Sequence, residues 1–372
     1  MPSEVLDAMR RAADEWVPLE LMQAAASRRI AQHTGTEAGL VTAGAAAALT
    51  LGAAAILADH DIRRMESLPH CDGFPNEFLI AREQRSGYDH AVRAAGARLS
   101  EVGFNEIVAG AGVRRTESWE YAAAVTEQTA GIVYVYGPDS QPALNEVVAV
   151  GREYNLPILV DAAGELPPRS NLKEIAATGA DLVAFSGGKA VRGPQSTGLL
   201  CGRSRLISSA ALQMLDMDDH FELWDPPADF IDRSLLRGLP RHGIGRGFKV
   251  AKESIVGVLT AVDLFASGRY DADLPRYESY LESIATALAD SPATCRLVSP
   301  REEGLWPVLE ITIADVHPGA AAVHICRRLR QGSPPIYVGH GRLREGILVI
   351  TPTSLTDGSV SVLADRLRQE LA

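Results

Sequence analysis

The sequence predicts an α/β protein: a mostly parallel sheet with helices on both faces, followed by a smaller C-terminal α+β domain. Three observations carry that expectation. From about Thr34 to Gly247, short apolar runs alternate with helical stretches. Those runs are too uniformly apolar for strands with one wet face, as expected of buried parallel strands. Past Gly247 the order changes to long amphipathic helices and two isolated β runs, the pattern of a separate α+β layer. A chain of 372 residues, 46% apolar and 22% charged, has the length for more than one structural unit.

Residues 1–33 read as an N-terminal helical arm, opened by Pro2-Ser3-Glu4 and carrying Leu6, Met9, Ala13 and Trp16 at helical spacing. Residues 34–247 make the expected large domain. Its strand candidates are 39–42, 77–80, 131–136, 157–160, 181–185 and 198–201, with helices expected at 119–129, 142–154 and 171–178. The stretch 38–57 carries no charge and has the length of a membrane span. Its residues are mainly Ala, Gly and Thr, too weakly apolar for insertion, so a buried helix is expected. Residues 248–372 make the expected connector helix, 248–265, and the small domain. There a helix at 275–288 precedes β runs at 306–313 and 346–350, which flank a helix near 320–331.

A formal charge of −11 with dispersed Lys and Arg argues against a nucleic-acid or anionic membrane surface. Cys71, Cys201, Cys295 and Cys326 lie far apart with no C-x-x-C spacing, so neither a metal site nor a disulfide framework is expected. A reduced, cytoplasmic protein fits.

Two strand ends carry the chemistry. The run at 181–185 leads into Ser186-Gly187-Gly188-Lys189, and 157–160 leads into Asp161-Ala162-Ala163. In open α/β sheets ligands collect at the carboxyl ends of strands. A lone lysine belongs to solvent, but one delivered by an apolar strand and a Gly-Gly turn is expected to be partly desolvated and reactive. An Asp after a strand also serves as a helix N-cap. Beside a reactive lysine it has a second use, because a Schiff-base lysine and an acid for a pyridinium nitrogen are what pyridoxal 5'-phosphate requires of a protein. Ala163 is small enough for a flat ring to lie against it. Thr42-Ala43-Gly44, between a strand and an Ala-rich helix, is the candidate phosphate cradle, with backbone N–H groups and the Thr42 hydroxyl as donors; Ser186 reaches the same region. His90 is either a surface histidine or a ring-stacking partner. Gln195 follows the lysine closely. Arg246 and Lys249, in a Gly-rich run, suit a substrate anion or a neighbouring subunit's cofactor phosphate.

These motifs resemble the SelA-like branch of fold-type-I pyridoxal phosphate enzymes, home of the L-seryl-tRNA(Sec) selenium transferases and D-glucosaminate-6-phosphate ammonia-lyases. The matching passages are 37–52, 99–103, 159–168, 181–202 with its S-G-G-K and R-G-P-Q-S core, and 243–249. The resemblance is closer to the ammonia-lyases, through D-A-A-x-x-x-P-P and I-G-R-G-x-K-V. It implies Lys189 as the Schiff-base lysine, Asp161 as the ring-nitrogen acid, and a homodimer or larger assembly with the site at a subunit interface. The segment 349–353 has no arginine where many fold-type-I enzymes bind the substrate carboxylate, leaving Arg246, Arg192 or Arg342 as candidates. The expected reaction is loss of ammonia, by β-dehydration, from a β-hydroxy amino acid or amino-sugar acid, giving a keto acid. Aldol cleavage, racemisation and β-replacement use the same lysine, and a cofactor-binding pseudoenzyme is the non-catalytic alternative.

Overall fold

The apolar runs form strands β1 (Ala38–Thr42), β2 (Glu77–Ala81), β4 (Thr129–Val135), β5 (Ile158–Asp161), β6 (Leu182–Ser186) and β7 (Gly198–Gly202), joined by an edge strand β3 (Arg98–Val102). They make one sheet in the order β1-β7-β6-β5-β4-β2-β3. In this computed structural model, which describes residues 1–104, 114–299 and 305–371, the neighbours from β6 across to β3 pair in parallel. Only β7 runs against its neighbours, β1 and β6. Every residue of β1 and β7 is buried, as the uniform apolarity of these runs requires.

The uncharged stretch 38–57 is resolved into β1 and helix α3 (Ala45–Ala58). Small side chains let that helix lie close on the sheet: a Cβ at Gly52 would stand 2.8 Å from a methyl of Leu159. No helix among the described residues is long and apolar enough to cross a membrane.

The chain divides into two compact units, Met1–Ser267 and Gly268–Ala372. This places the division later than the expected boundary at 247/248. The Gly-rich run that suggested a boundary is a 3-10 turn, Ile244–Phe248, whose Gly243 and Gly245 lie against the backbone of Gln213. The expected connector is helix α10 (Lys252–Ala266), with Ile255, Val258, Ala261 and Val262 buried in the first unit. The expected arm is two helices, α1 (Ser3–Ala13) and α2 (Leu19–Thr34). Rather than standing apart, α1 packs on α10: Lys252 Nζ donates to the carbonyls of Ala12 and Ala13. Arg29 and His33 of α2 both reach Asp263 of α10, at 2.8 and 2.7 Å.

The second unit pairs an antiparallel sheet, β8 (Thr294–Val298), β9 (Val308–Thr312) and β10 (Ile347–Ile350), with three long helices at Leu274–Ala287, Pro318–Gln331 and Asp357–Leu371. Its core centres on Leu281, Ile284, Leu309, Leu329, Leu348 and Leu367.

A Cβ at Gly257 of α10 would meet Met9 of α1 at 2.8 Å. Gly257→Leu is therefore expected to lift α1 from its seat at a cost of about 1–3 kcal/mol. Hydrogen exchange should show faster amide exchange in residues 3–13, with the amides of β5 and β6 unchanged.

Candidate active site

Sheet register brings the chemistry-bearing residues to one edge. Gly198 pairs with Thr42 on one side and Ser186 on the other, so Thr42, Gly198 and Ser186 form a row across β1, β7 and β6. Asp161, the last residue of β5, pairs with Ala184. Lys189 lies on the loop that returns from β6 into β7. Because β7 is reversed, this loop needs no crossover and stays at the edge. It is closed on itself by Gly193 N donating to Gly187 O and Arg192 N donating to Lys189 O, both at 2.9 Å. Arg192 takes a left-handed φ of 62° to complete the bend, and a Cβ at Gly188 would stand 2.5 Å from the Gln195 carbonyl. Gln195 itself is exposed.

Asp161 is half-buried. Its Oδ1 accepts from Ala163 N at 3.0 Å, and Oδ2 has no hydrogen-bond partner among the described residues. Burial pushes its titration up, against the opposing pull of the Ala163 N–H and the charge of Lys189. Ala163 is half-buried on the turn that follows. The Lys189 amine lies 4.0 Å from where a Cβ on Gly164 would be, and it too has no hydrogen-bond or ion-pair partner among the described residues. Contrary to the expected desolvation, Lys189 is exposed, although Ala190 and Val191 beside it are buried.

The strand-to-helix turn has the form of an anion site, with one change of donor. Thr42 is fully buried, and its hydroxyl proton goes to the Gly44 carbonyl at 3.0 Å, so the hydroxyl braces the turn instead of facing outward. Gly44, at φ 96°, opens α3 without a side-chain cap, and a Cβ there would meet open space. The first N–H that closes a bond in this helix is that of Ala48, to Gly44 O, leaving the N–H groups from Ala45 to Ala47 at a positive helix end. Ala43 is half-buried on the same turn. The Ser186 hydroxyl, one row away, is likewise unpartnered among the described residues. An uncapped helix start, a free hydroxyl, a half-satisfied buried carboxylate and an unpaired lysine fit pyridoxal phosphate: an anionic group at one end and a protonated ring nitrogen at the other.

The remaining candidates are placed differently. His90 is exposed on a short helix, Asp89–Ala94, with Nδ1 3.1 Å from Arg93; Thr50 of α3 bonds the Ala91 carbonyl of that helix. Arg246 bonds Asp216 at 2.6 Å, in an exposed cluster where His242 also meets Asp218. Lys249 is exposed. Arg342 belongs to the second unit and is held there by Glu310 and Glu345; as a candidate for substrate carboxylate it is already engaged by two carboxylates of its own chain.

One residue escaped the sequence reading. Glu165, four positions after Asp161, closes the turn by donating its N–H to the Ala162 carbonyl at 3.1 Å. Its carboxyl is half-buried and makes no hydrogen bond among the described residues. Burial, then the neighbouring Asp161 carboxylate, raises its titration, while Lys189 opposes the rise. The signal in the sequence was a second acid inside the same D-A-A-G-E turn.

The model of the family described as L-seryl-tRNA selenium transferase matches residues 89–217. A 5'-C-glycyluridine monooxygenase-decarboxylase from Streptomyces is 30% identical, over 96% of this chain and 83% of that protein. A D-glucosaminate-6-phosphate ammonia lyase from Salmonella typhimurium is 25% identical, over 98% and 90%. A solved D-glucosaminate-6-phosphate ammonia-lyase structure superposes with a TM-score of 0.79 at 23% identity, covering 100% of this chain and 91% of that one.

Two outcomes test this site. The Asp161 carboxyl titrates above its ordinary 3.8 in the folded chain. At lower pH it is neutral in both states and costs nothing; as pH rises through the folded titration point, that stability is lost. The cofactor-free Asp161→Asn protein should therefore melt higher than wild type at pH 7.5, with the gap vanishing below pH 4 by thermal unfolding, and should bind pyridoxal phosphate more weakly. A Cβ at Gly198 would stand 2.4 Å from the Gly44 carbonyl carbon. Gly198→Ala should cost about 1–3 kcal/mol and, by cofactor titration, weaken phosphate-dependent binding.

Proposed function

From the premise that the chain belongs to the SelA-like family of fold-type-I pyridoxal phosphate enzymes, we propose that it eliminates ammonia from a β-hydroxy amino acid or amino-sugar acid. The observation that carries this reading is the pairing of an unbonded Lys189 amine with an Asp161 carboxylate that keeps one oxygen free. Pyridoxal phosphate, when bound, supplies an electron sink for charge developing at the substrate's α-carbon.

The chain's own groups do the rest. The N–H groups at the start of α3 and the Ser186 hydroxyl would hold the phosphate, and the Asp161 carboxylate would keep the ring nitrogen protonated. Lys189 would take the α-proton as general base. The β-hydroxyl then departs, and hydrolysis of the resulting enamine gives a keto acid and ammonia. The names of two relatives support a sugar-linked substrate: one acts on an amino-sugar acid, the other on a glycyl group joined to uridine. The exposure of Lys189 in the single chain supports a homo-oligomer in which a second subunit covers the site.

The Streptomyces relative's name favours a second reading, oxygen-dependent decarboxylation with the same lysine and acid. Products separate the two: ammonia and keto acid without oxygen uptake support elimination, whereas carbon dioxide with oxygen consumption supports the alternative. Glycine plus an aldehyde would instead indicate an aldolase.

Wild-type protein is expected to turn yellow on incubation with pyridoxal phosphate. Lys189→Ala should lose the lysine-dependent visible band and turnover, by at least 1,000-fold on the order of losses seen for essential catalytic groups. A wild type that stays colourless refutes the reading.

A further inference from the structure

We propose that Glu165 is the general acid that protonates the departing β-hydroxyl, a role that rests on the elimination reading above. The turn Ala162–Ala163–Gly164–Glu165 leaves the end of β5 directly from Asp161 and is closed by the Glu165 N–H to Ala162 O bond. A Cβ on Gly164, at its tip, would stand 4.0 Å from the Lys189 amine, and Glu165 is the next residue of the same turn. The Glu165 carbonyl is fixed in turn by Asn171 Nδ2 at 2.7 Å. Its carboxyl, half-buried, is spent on no structural bond among the described residues. Among the described residues, Asp161, Glu165 and Lys189 make no hydrogen bond or ion pair with one another.

Burial pushes the titration of both acids up, and they differ in what acts beside it. At Asp161 the Ala163 N–H and the charge of Lys189 oppose the rise. Glu165 accepts no such bond, and the neighbouring Asp161 carboxylate adds to its rise while Lys189 opposes it. A carboxyl whose titration is pushed up suits proton donation to a leaving group.

The step balances. Lys189 takes the α-proton, the electron pair of the Cα–H bond forms the Cα=Cβ bond, and the Cβ–O bond breaks with its pair going to oxygen. Glu165 gives that oxygen its proton, so water leaves instead of hydroxide. Glu165 is then a carboxylate and Lys189 an ammonium, and one proton passed between them through solvent resets both. The water released is matched by the one consumed when the enamine hydrolyses.

Leaving groups of different basicity test this role. Wild type and Glu165→Gln are compared on D- and L-serine and D-glucosaminate, which lose hydroxyl, and on both enantiomers of 3-chloroalanine, whose chloride needs no proton. The expected result is a kcat loss of about 100-fold on the hydroxyl substrates and less than threefold on chloroalanine, with Glu165→Asp partly restored. A second readout is the pH profile. In wild type, kcat on the hydroxyl substrates should fall as pH rises and the Glu165 carboxyl loses its proton, and Glu165→Gln should lack that fall. Equal losses on both substrate classes, or the same fall in the variant, overturn the role of Glu165 alone. A coloured wild type that makes keto acid from neither class overturns the elimination reading together with this role.

Discussion

The reversed strand β7 is the constraint on which the site depends. Five parallel strands from β6 to β3 could be joined only by crossovers, which would carry the chain after Ser186 away over a face of the sheet. Because β7 turns back beside β6, residues 187–197 form a closed loop at the edge, and Lys189 is held there. The same strand places Gly198 between Ser186 and Thr42. At that position only a hydrogen in place of a side chain lets the Gly44 turn close on the sheet, so the helix start and the lysine loop are fixed to a common row.

Those positions are maintained against local cost. The start of α3 lacks a side-chain cap, and Asp161 keeps one carboxylate oxygen unpaired in a half-buried setting. At two other places in the sheet such groups are satisfied by the chain itself: Gln23 bonds both polar groups of Val41, and Asp181 takes the Ile158 N–H while pairing with Arg203. Local satisfaction at one end of β6 and unsatisfied groups at the other is the distribution expected where a ligand completes the structure. The opposite ends of the same strands therefore serve different purposes, one fastening the sheet and the other left open for chemistry.

Much of this was legible in the sequence, for physical reasons. Buried parallel strands are apolar throughout, so six of the seven large-sheet strands were readable from composition alone. The seventh, β3, lies at the sheet edge with only Val102 buried, and its sequence Arg-Leu-Ser-Glu-Val has no core signature. The Gly-rich run that suggested a boundary at 247/248 has glycines that allow close backbone packing against Gln213, and the compact units divide later, at 267/268. Lys189 and Asp161 could be singled out as candidates because strand ends carry local motifs, and the structure places both at the carboxyl end of the sheet. The exposure of Lys189 and the pairing of Arg342 with Glu310 depend on neighbours distant in sequence that no local pattern encodes, whereas the Thr42 hydroxyl turns to Gly44 and Arg342 also meets Glu345 within a few residues.

On the elimination reading, the turn after β5 is what would distinguish reactions on this scaffold. In that reading Lys189 and Asp161 make a carbanion accessible, and neither selects the bond that breaks next. Selection requires a group that acts on the β-carbon's substituent, or one that orients the α-carboxylate. Arg246 and Arg342 each enter that contest already paired with carboxylates of the chain, so using either for substrate means exchanging one anion for another. Glu165 carries no such commitment, and its position on the Asp161 turn couples its charge to the acid that tunes the cofactor. A substitution at this one turn residue would leave the lysine, the phosphate seat and the ring acid in place. In the proposed role of Glu165 it would change the fate of the β-substituent alone, one way in which a single fold can support several outcomes from one carbanion.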